Sequence, residues 1–185
     1  MVGRLVEKKG FEYGLRAFAR VARSHPNLFL TMVGDGPRRR TLEHLTRSLG
    51  IGDRVVFTGV LSGHDVSERL RRSDILLAPS VTGRDGNREG SPMTVKEGSA
   101  SQTVPVSTYH AGIPEIVEDG TTGFLVSERD VEGLAERLDR LVRDRTLRER
   151  MGRAARAKME HEFDNRVQVD ELERIYDRVA ADKRS

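Results

Sequence analysis

The sequence predicts an α/β fold, a doubly wound parallel sheet followed by a helical carboxyl-terminal tail. Short apolar runs bounded by glycine, proline and polar residues alternate with amphipathic stretches over the first two thirds of the chain. That alternation is typical of parallel strands joined by helices on both faces of a sheet. From Asp130 onward the chain is highly charged, with apolar residues at helical spacing. We expect one domain over 1–185, with an α/β core at about 1–128 and a helical tail at 129–185.

The composition is that of a soluble globular protein, with 36% hydrophobic and 33% charged residues in a chain of 185, enough for one sizeable core. The absence of cysteine excludes disulfides and thiolate metal sites. No apolar run approaches the roughly 20 residues of a membrane-spanning helix, and no signal peptide is visible, so we expect a cytoplasmic location. The net charge of +3 is too mild to indicate a nucleic-acid partner.

Apolar runs predict the strands of the first half of the chain, and each run is followed by a loop and an amphipathic stretch. Strands are expected at Met1-Val2, which is the end of one, and at residues 28–33, 54–58 and 74–79. Helices are expected at residues 11–22, 37–49 and 65–72. Parallel strands end at one edge of a sheet, so the loops that follow them form a common rim, where such sheets bind ligands.

The second half opens with a long polar loop and continues with shorter elements. The loop covers residues 80–88, and strands are expected at 104–107 and 124–126. Helices are expected after the loop, after the turn at 110–115, and from Asp130 to about Ala181. The polar stretch at 161–165 is expected to break the last region into separate helices.

The segment Glu89-Gly90-Ser91-Pro92-Met93-Thr94-Val95-Lys96-Glu97 places two carboxylates around the start of a helix. Proline suits the first helical position, because its missing N–H would have no partner there, and Ser91 is then the expected N-cap. The amides of Met93 and Thr94 lie in the first turn without an intrahelical acceptor. Such a terminus attracts phosphate through free N–H groups and the positive end of the helix dipole. The same pattern is also ordinary helix capping.

Glu89 precedes this helix and Glu97 lies a turn inside it, so the two can face one ligand from different sides. A carboxylate accepts two hydroxyl groups at once, which suits a sugar or a ribose beside the phosphate. A glutamate in a second helical turn is, alternatively, often just solvated. Arg4 and Lys9 lie on the glycine-bounded loop after the first strand. They either neutralise a diphosphate, arginine by a two-pronged hydrogen bond and lysine as a point charge, or are surface cations.

Other candidate sites carry less support. Gly34-Asp35-Gly36 follows a strand like a dinucleotide fingerprint, but Arg39 occupies the third glycine position and excludes a pyrophosphate. No P-loop motif is present. His110 is either a proton carrier near neutral pH or a hydrogen-bonding surface residue. The remaining histidines lack the spacing of metal ligands.

The whole chain resembles the carboxyl-terminal half of a GT-B glycosyltransferase, in the large retaining family 4 group, whose halves are Rossmann-like. Motifs that are weak one by one occur in the family's order and at its spacing. They are Val2-Gly3-Arg4-Leu5 with Lys8-Lys9-Gly10, Val33-Gly34-Asp35-Gly36-Pro37, Val56-Phe57-Thr58-Gly59, Ser73-Asp74, Glu89-Gly90-x-Pro92 to Glu97, Gly112-Ile113-Pro114-Glu115, and Asp119-Gly120-x-x-Gly123-Phe124-Leu125-Val126. Residues 107–115 are similar to exopolysaccharide enzymes of the colanic-acid type.

The resemblance implies a domain that binds a nucleotide-sugar donor, with a UDP- or GDP-sugar as substrate and no metal or other cofactor. Family enzymes transfer the sugar, here a hexose, with retention to a saccharide or lipid-linked acceptor. The implied roles are diphosphate binding by Arg4, Lys9, Met93 and Thr94, ribose or base binding by Glu97, Val60 and Leu61, and donor-sugar binding by Glu89, Gly90 and Ser91. Glu89 is the implied catalytic residue, and its role as a nucleophile or as an orienting group stays open.

Family enzymes bind the acceptor in an amino-terminal domain, which this chain lacks, so we expect no transfer by the chain alone. A lipid-linked acceptor would bring the protein into peripheral contact with the inner face of the membrane. The alternative is a non-catalytic nucleotide-sugar-binding or regulatory module. An unrelated receiver or dinucleotide protein is disfavoured, because the third glycine and an acidic pocket in the first loop are missing.

Three features after the second carboxylate depart from the family pattern. Gly98 replaces an alanine, and glycine weakens a helix by roughly 0.5–1 kcal/mol relative to alanine. Gln102 replaces a glycine and is strained if the backbone there has a positive φ. Val104-Pro105 stands in the reverse of the family's order. These changes follow the helix that carries Glu97 and can tilt it.

Overall fold

Five parallel strands form the centre of the protein in the computed structural model, which describes residues 1–182, with side chains to residue 180. They are β1 (Leu30–Val33), β2 (Val55–Gly59), β3 (Ile75–Ala78), β4 (Val104–Thr108) and β5 (Phe124–Val126). β1 pairs with β2, and β4 lies between β3 and β5. Every one of these pairs is parallel, which confirms the predicted sheet type.

The sheet consists of a two-stranded and a three-stranded piece, whereas the sequence predicted one sheet. The chain start extends the two-stranded piece, since the Val33 amide donates to the Met1 carbonyl and the Gly3 amide donates to the Val33 carbonyl, both at 2.9 Å. The expected strand end is present as one parallel bridge between Val2 and Val33. A groove of about 280 Å³, lined by Val2 and by β3, separates the pieces. Among residues 1–182, Val2 forms a bridge with Val33 and none with β3.

Helices connect and cover the strands. They are α1 (Phe11–Ala22), α2 (Arg39–Ser48), α3 (Gly63–Arg71), α4 (Met93–Ala100), α5 (Ile113–Ile116), α6 (Val131–Arg143), α7 (Arg145–Glu162) and α8 (Asn165–Asp182). Single 3-10 turns lie at Glu7–Lys9 and Gly52–Arg54. Each predicted helical region is therefore present.

Three helix starts differ from the prediction. α3 begins at Gly63, two residues before the expected start, because Ser62 caps it by accepting from the Asp65 amide. α2 begins at Arg39 rather than Pro37, because the chain turns there and the Arg38 amide donates to the Leu5 carbonyl at 3.0 Å. α4 begins at Met93, one residue later than expected. The expectation that Ser91 is the N-cap is wrong: Pro92 (φ −69°, ψ 113°) occupies that position, and no side chain caps the helix.

The hydrophobic core has two parts, one on each face of the three-stranded piece. Phe124 and Val126 of β5 belong to the larger cluster, with residues of α1 and α6. Leu125, between them, belongs to the smaller cluster with Val95 of α4 and Met159 of α7. Successive side chains of a strand point to opposite faces, so β5 is covered on both sides. The doubly wound arrangement is confirmed.

The helical tail is also confirmed, and its first two helices pack into the layers. α6 packs against α1, and α7 packs against α4 and β4. A break at Asp144, which the sequence did not predict, separates α6 from α7, and its carboxylate accepts from the Leu147 amide at 2.8 Å. The described side chains of α8, including Val169, Leu172 and Tyr176, are exposed. Within residues 1–182, no helix has the length and apolar character needed to cross a membrane.

Two of the departures around α4 have visible structural consequences. A Cβ at Gly98 would lie 2.7 Å from Leu76 Cδ2, so glycine lets α4 approach β3 closely. Gln102, just after α4, has a φ of 62°. The expected left-handed strain is therefore present at Gln102, where an L side chain crowds the following carbonyl.

Candidate functional site

A hollow of about 450 Å³ lies at the carboxyl edge of the strands and collects several of the residues that the sequence singled out. It is lined by Arg4, Val6, Glu7, Lys8, Lys9, Asp85, Asn87 and Glu89. Two segments that are far apart in sequence supply these residues: the loop after the Val2 bridge and the polar loop after β3. The structure thus brings Arg4, Lys9 and Glu89 to one hollow, whereas Glu97, which was expected to face the same ligand, does not line it.

Backbone contacts hold the first of these loops. The buried Leu5 exchanges backbone hydrogen bonds with the turn before α2, donating to the Asp35 carbonyl at 2.9 Å. Gly10 has a φ of 59°, and a Cβ there would lie 1.9 Å from the Pro79 carbonyl oxygen. Only glycine permits this approach. The position of Lys9 is therefore set by the contact of its neighbour Gly10 with the end of β3.

The polar loop after β3 is held at its start and folded back on itself. The Val81 amide donates to the Lys8 carbonyl at 2.8 Å, which joins the two loops. The Asn87 amide donates to the Asp85 carboxylate at 2.9 Å, and the Gly83 amide donates to the Asn87 carbonyl at 2.9 Å. These contacts fix the direction in which the backbone reaches Glu89.

Glu89 is the most enclosed charged group of the hollow, with a side chain only 9% exposed. Its Oε1 lies 3.3 Å from the Lys9 ammonium and 3.9 Å from that of Lys8. Neither contact has the geometry of a hydrogen bond, so this buried oxygen has no donor among residues 1–182. A buried acceptor without a donor costs about 1–3 kcal/mol, and here the two ammonium groups offset part of that cost while leaving the oxygen able to accept a hydrogen bond.

His110 lies beneath Glu89 and is fully buried, not at the surface. Its Nε2 accepts a hydrogen bond from the Glu89 amide at 3.0 Å, and its Nδ1 lies 2.6 Å from Glu128 Oε1. Both ring nitrogens of His110 therefore have protein partners. Neither is free to exchange a proton with a ligand, which a proton carrier requires. Burial acts to raise the pKa of Glu128, but hydrogen bonds from the Thr82 amide and from His110 outweigh it and lower that pKa below its usual value of 4.5.

The start of α4 adjoins Glu89. The Gly112 amide donates to the Gly90 carbonyl at 3.1 Å, which fixes the turn before the helix, and Ser91 is exposed. Among residues 1–182, neither the Met93 nor the Thr94 amide donates to a protein acceptor. Two free amides at the positive end of a helix dipole are able to bind an anion.

The remaining predicted residues lie outside the hollow. Glu97 is exposed on α4, Val60 is 78% exposed just after β2, and Leu61 is half-buried. α3, which follows Leu61, packs against α4. The structure therefore does not bring these three residues to the hollow, and the packing of α3 on α4 is the contact that links the two regions that carry them. Arg4 is exposed and has no acidic partner within the described part of the chain.

Sequence reasoning missed Lys8 and Glu128 and gave His110 little weight. The Lys8-Lys9 doublet was a usable signal, because both ammonium groups approach the same carboxylate. Glu128 had none, since it follows β5 and meets His110 only through the fold. Among the described residues, no three His, Asp or Glu side chains converge in a way that could hold a metal ion.

Comparison with known proteins assigns the chain to a family. A family model described as Glycosyl transferases group 1 matches residues 1–158. WcaL of Escherichia coli K12, which carries the name "Putative colanic acid biosynthesis glycosyltransferase", is 37% identical over 172 residues, which are 92% of this chain and 42% of that protein. The amylovoran biosynthesis glycosyltransferase AmsK of Erwinia amylovora is 33% identical over 180 residues, 97% of this chain and 44% of its own length. The chain thus spans about two fifths of these relatives.

Solved structures share the fold. The carboxyl-terminal domain of LpcC, a glycosyl transferase group 1 family protein of Francisella tularensis, has a TM-score of 0.79 at 22% identity, covering 89% of this chain and 85% of that one. HepE of Anabaena, solved in complex with UDP, has a TM-score of 0.81 at 23% identity, covering 97% of this chain and 48% of that one. The fold is that of a Rossmann-like GT-B domain. The chain belongs to the glycosyl transferases group 1 family and is homologous to exopolysaccharide glycosyltransferases.

Proposed function

We propose that this chain is the donor-binding domain of a retaining glycosyltransferase, and that its hollow holds the diphosphate and sugar of a UDP- or GDP-sugar. The observation that carries the proposal is Glu89, a nearly buried carboxylate with one oxygen that is ion-paired with two lysines but accepts no hydrogen bond. A polar ligand that brings both a hydroxyl group and negative charge would satisfy the oxygen and the lysines together.

The diphosphate is assigned to Arg4, Lys9 and the amides of Met93 and Thr94. Arg4 is exposed at the mouth of the hollow, so it can turn its planar fork to two phosphate oxygens. Lys9 supplies a point charge, and the free amides of α4 add fixed partial charges. Together these groups would stabilise the charge that develops on the leaving diphosphate when the sugar departs.

The donor sugar is assigned to Glu89, Gly90 and Ser91. The Oε1 atom of Glu89, which has no hydrogen-bond donor, is able to accept a hydrogen bond from a sugar hydroxyl. The negative charge of the carboxylate would stabilise the positive charge that develops at the reacting carbon. Gly90 and Ser91 line the path from Glu89 to the helix start. This arrangement serves a carboxylate that orients the sugar, and it also serves a nucleophile.

The nucleoside is assigned to the open part of the rim. Glu97 is exposed and is able to accept both ribose hydroxyls, while the exposed apolar surface of Val60 and Leu61 suits the face of a base. The side chains of Val60 and Leu61 carry no polar group that would distinguish uracil from guanine. Both UDP and GDP are therefore tested.

The acceptor side of the reaction is assigned to a separate amino-terminal domain. The chain spans 42% and 44% of two relatives that are named as polysaccharide biosynthesis glycosyltransferases. We propose a saccharide or lipid-linked saccharide as acceptor, no transfer without that domain, and a cytoplasmic reaction at the inner face of the membrane.

Titration calorimetry of the folded chain with UDP and with GDP tests the proposal. We expect one of the two nucleotides to bind with a dissociation constant below a millimolar. No heat from either at millimolar concentration, with a sample shown to be folded by circular dichroism, would overturn it. Binding without sugar transfer after an amino-terminal half is supplied would instead favour a non-catalytic nucleotide-sugar-binding module.

A further inference from the structure

One buried pair, His110 and Glu128, closes the polar loop that leads to Glu89. Glu128 accepts from the Thr82 amide at 2.9 Å and from the Thr82 hydroxyl at 3.1 Å, near the start of the loop. His110 accepts from the Glu89 amide at 3.0 Å, at the end of the loop. The intervening residues 84–88 are exposed. The pair is therefore the anchor that fixes where the loop begins and where it stops.

The partners of His110 determine which nitrogen carries its proton. The Glu89 backbone nitrogen has only a hydrogen to offer, so Nε2 must be the unprotonated acceptor. Nδ1 then carries the proton and donates to Glu128 Oε1 at 2.6 Å. Glu128 receives a further donor from Arg129 at 3.2 Å and stays ionised, in keeping with its lowered pKa. The arrangement fixes one tautomer, because the other would direct two N–H groups at each other.

The consequence reaches the carboxylate of Glu89 through its own backbone. A side chain pivots about its Cα, so holding the amide limits where the carboxylate can lie. In this position Oε1 lies 3.3 Å from the Lys9 ammonium. Filling space alone would not require both ring nitrogens of His110 to be paired, since an apolar side chain of similar size would pack as well.

We propose that His110, oriented by Glu128, is a positioning residue that sets the Glu89 carboxylate for the donor sugar. The role of His110 in sugar binding rests on the proposed function. Its tautomer and its hydrogen bond with the Glu89 amide do not. His110 touches no ligand in this scheme, and the nucleotide half of the donor is not expected to depend on it.

Two substitutions at His110 distinguish its hydrogen bond with the Glu89 amide from its contact with Glu128. In His110→Gln, the amide oxygen can reach the place of Nε2 and accept from the Glu89 amide. In His110→Asn, the shorter side chain reaches the place of Nδ1 and faces Glu128, which leaves the Glu89 amide without an acceptor. His64→Asn is the matched control, because His64 is 80% exposed on α3.

The first measurement is nuclear magnetic resonance on the full chain. We expect the wild-type His110 ring to show a protonated Nδ1 and an unprotonated Nε2. We expect the Glu89 amide to exchange with solvent at least about tenfold faster in His110→Asn than in wild type, with His110→Gln and His64→Asn within about twofold. A wild-type ring protonated at Nε2, or equal exchange in the Asn and Gln variants, would overturn the proposal whether or not those variants are stable.

The second measurement is calorimetry with UDP against UDP-glucose, and with GDP against GDP-mannose. We expect His110→Asn to keep wild-type affinity for the free nucleotide and to lose at least about fivefold for the nucleotide sugar that binds, while His110→Gln keeps both. An equal loss for nucleotide and nucleotide sugar would contradict a positioning role. If no nucleotide binds the wild type, the proposed function fails, while the resonance experiment still decides the tautomer and the hydrogen bond with the Glu89 amide.

Discussion

The two parts of the candidate site differ in how far the protein builds them in advance. The Lys9–Glu89 half, which is Arg4, Lys9 and Glu89, lines one hollow and contains a carboxylate 9% exposed. The Val60–Glu97 half, which is Val60, Leu61 and Glu97, lies on the open rim, and Val60 is 78% exposed. Long-range backbone contacts hold the first half, whereas the residues of the second half are exposed or half-buried.

On the proposed assignment, this difference separates the groups that act on the reacting bond from those that bind the nucleoside. Preorganised charges gain most where water is excluded, so groups that act on a reacting bond belong in the enclosed half. An open rim costs less to desolvate and tolerates different bases. On the proposed assignment, substitutions in the Lys9–Glu89 half affect transfer and diphosphate affinity strongly, and substitutions in the other half affect nucleoside affinity modestly.

The largest effect is expected from Glu89→Gln. The substitution keeps the shape of the side chain but removes the negative charge that faces the donor sugar. Sugar transfer, measured after the amino-terminal half is supplied, should fall by about 100- to 1000-fold, the range seen for single groups that stabilise a transition state electrostatically. The control is Glu7→Gln in the same hollow, which should change transfer little because Glu7 is 38% exposed and pairs with Arg84. Equal losses in both would contradict a special role for Glu89.

Lys9→Ala should weaken binding of the preferred nucleoside diphosphate by about ten- to hundredfold. A charge-assisted hydrogen bond contributes roughly 1.5–3 kcal/mol, and 1.4 kcal/mol is a tenfold change in affinity. Lys8→Ala is the comparison, since Lys8 donates to the Arg88 carbonyl at 3.1 Å and lies farther from Glu89. Calorimetry on both variants should rank Lys9 above Lys8. The reverse ranking would move the diphosphate to the other side of the hollow.

Glu97→Ala should weaken the same nucleotide by about two- to tenfold, with an unchanged thermal midpoint. Glu97 is exposed, so its removal costs the fold nothing, and hydrogen bonds to ribose contribute roughly 0.5–1.5 kcal/mol. Glu136→Ala, an exposed glutamate on α6, is the control. Wild-type affinity in Glu97→Ala would remove the Val60–Glu97 half from the proposal and leave the other half standing.

The smallest effect is expected from Gln102→Gly, at the position just after α4, the helix that carries Glu97. Glycine relieves the φ of 62°, so the free energy of unfolding should rise by about 0.5–1 kcal/mol in a urea titration. Gln168→Gly in the exposed helix α8 should lower it by about 0.5 kcal/mol, because glycine is a poor helix former. Destabilisation by both substitutions would mean that Gln102 makes contacts that outweigh its strain.

Much of the fold was predictable from local patterns. Strand runs such as Leu30–Val33 and the helix Phe11–Ala22 follow from apolar spacing and from the stops around them. The break at Asp144 was not predicted, since it lies within a charged stretch whose apolar spacing continues on both sides. The division of the sheet was also missed, because the sequence does not say how far the segment at Val2 pairs.

Site residues were predictable from the sequence where the side chain has a distinctive chemical property and lies within a recognisable motif. Arg4, Lys9 and Glu89 were identified in this way and share one hollow. The contact of His110 with Glu128 was not predictable, because the two residues meet only after β5 is laid beside β4. The pair fixes both ends of the polar loop because His110 is buried. The burial of a loop residue cannot be predicted from the sequence of that loop alone.

The ion pair between Lys9 and Glu89 has a further consequence on the proposed assignment. An ammonium group divided between two anions serves each less well, so an incoming pyrophosphate would draw Lys9 away from the carboxylate. Docking of the donor would then free Glu89 at the moment when its sugar arrives. Binding of the donor and release of the Glu89 carboxylate would then be one exchange of partners by Lys9, and without donor the carboxylate would stay ion-paired.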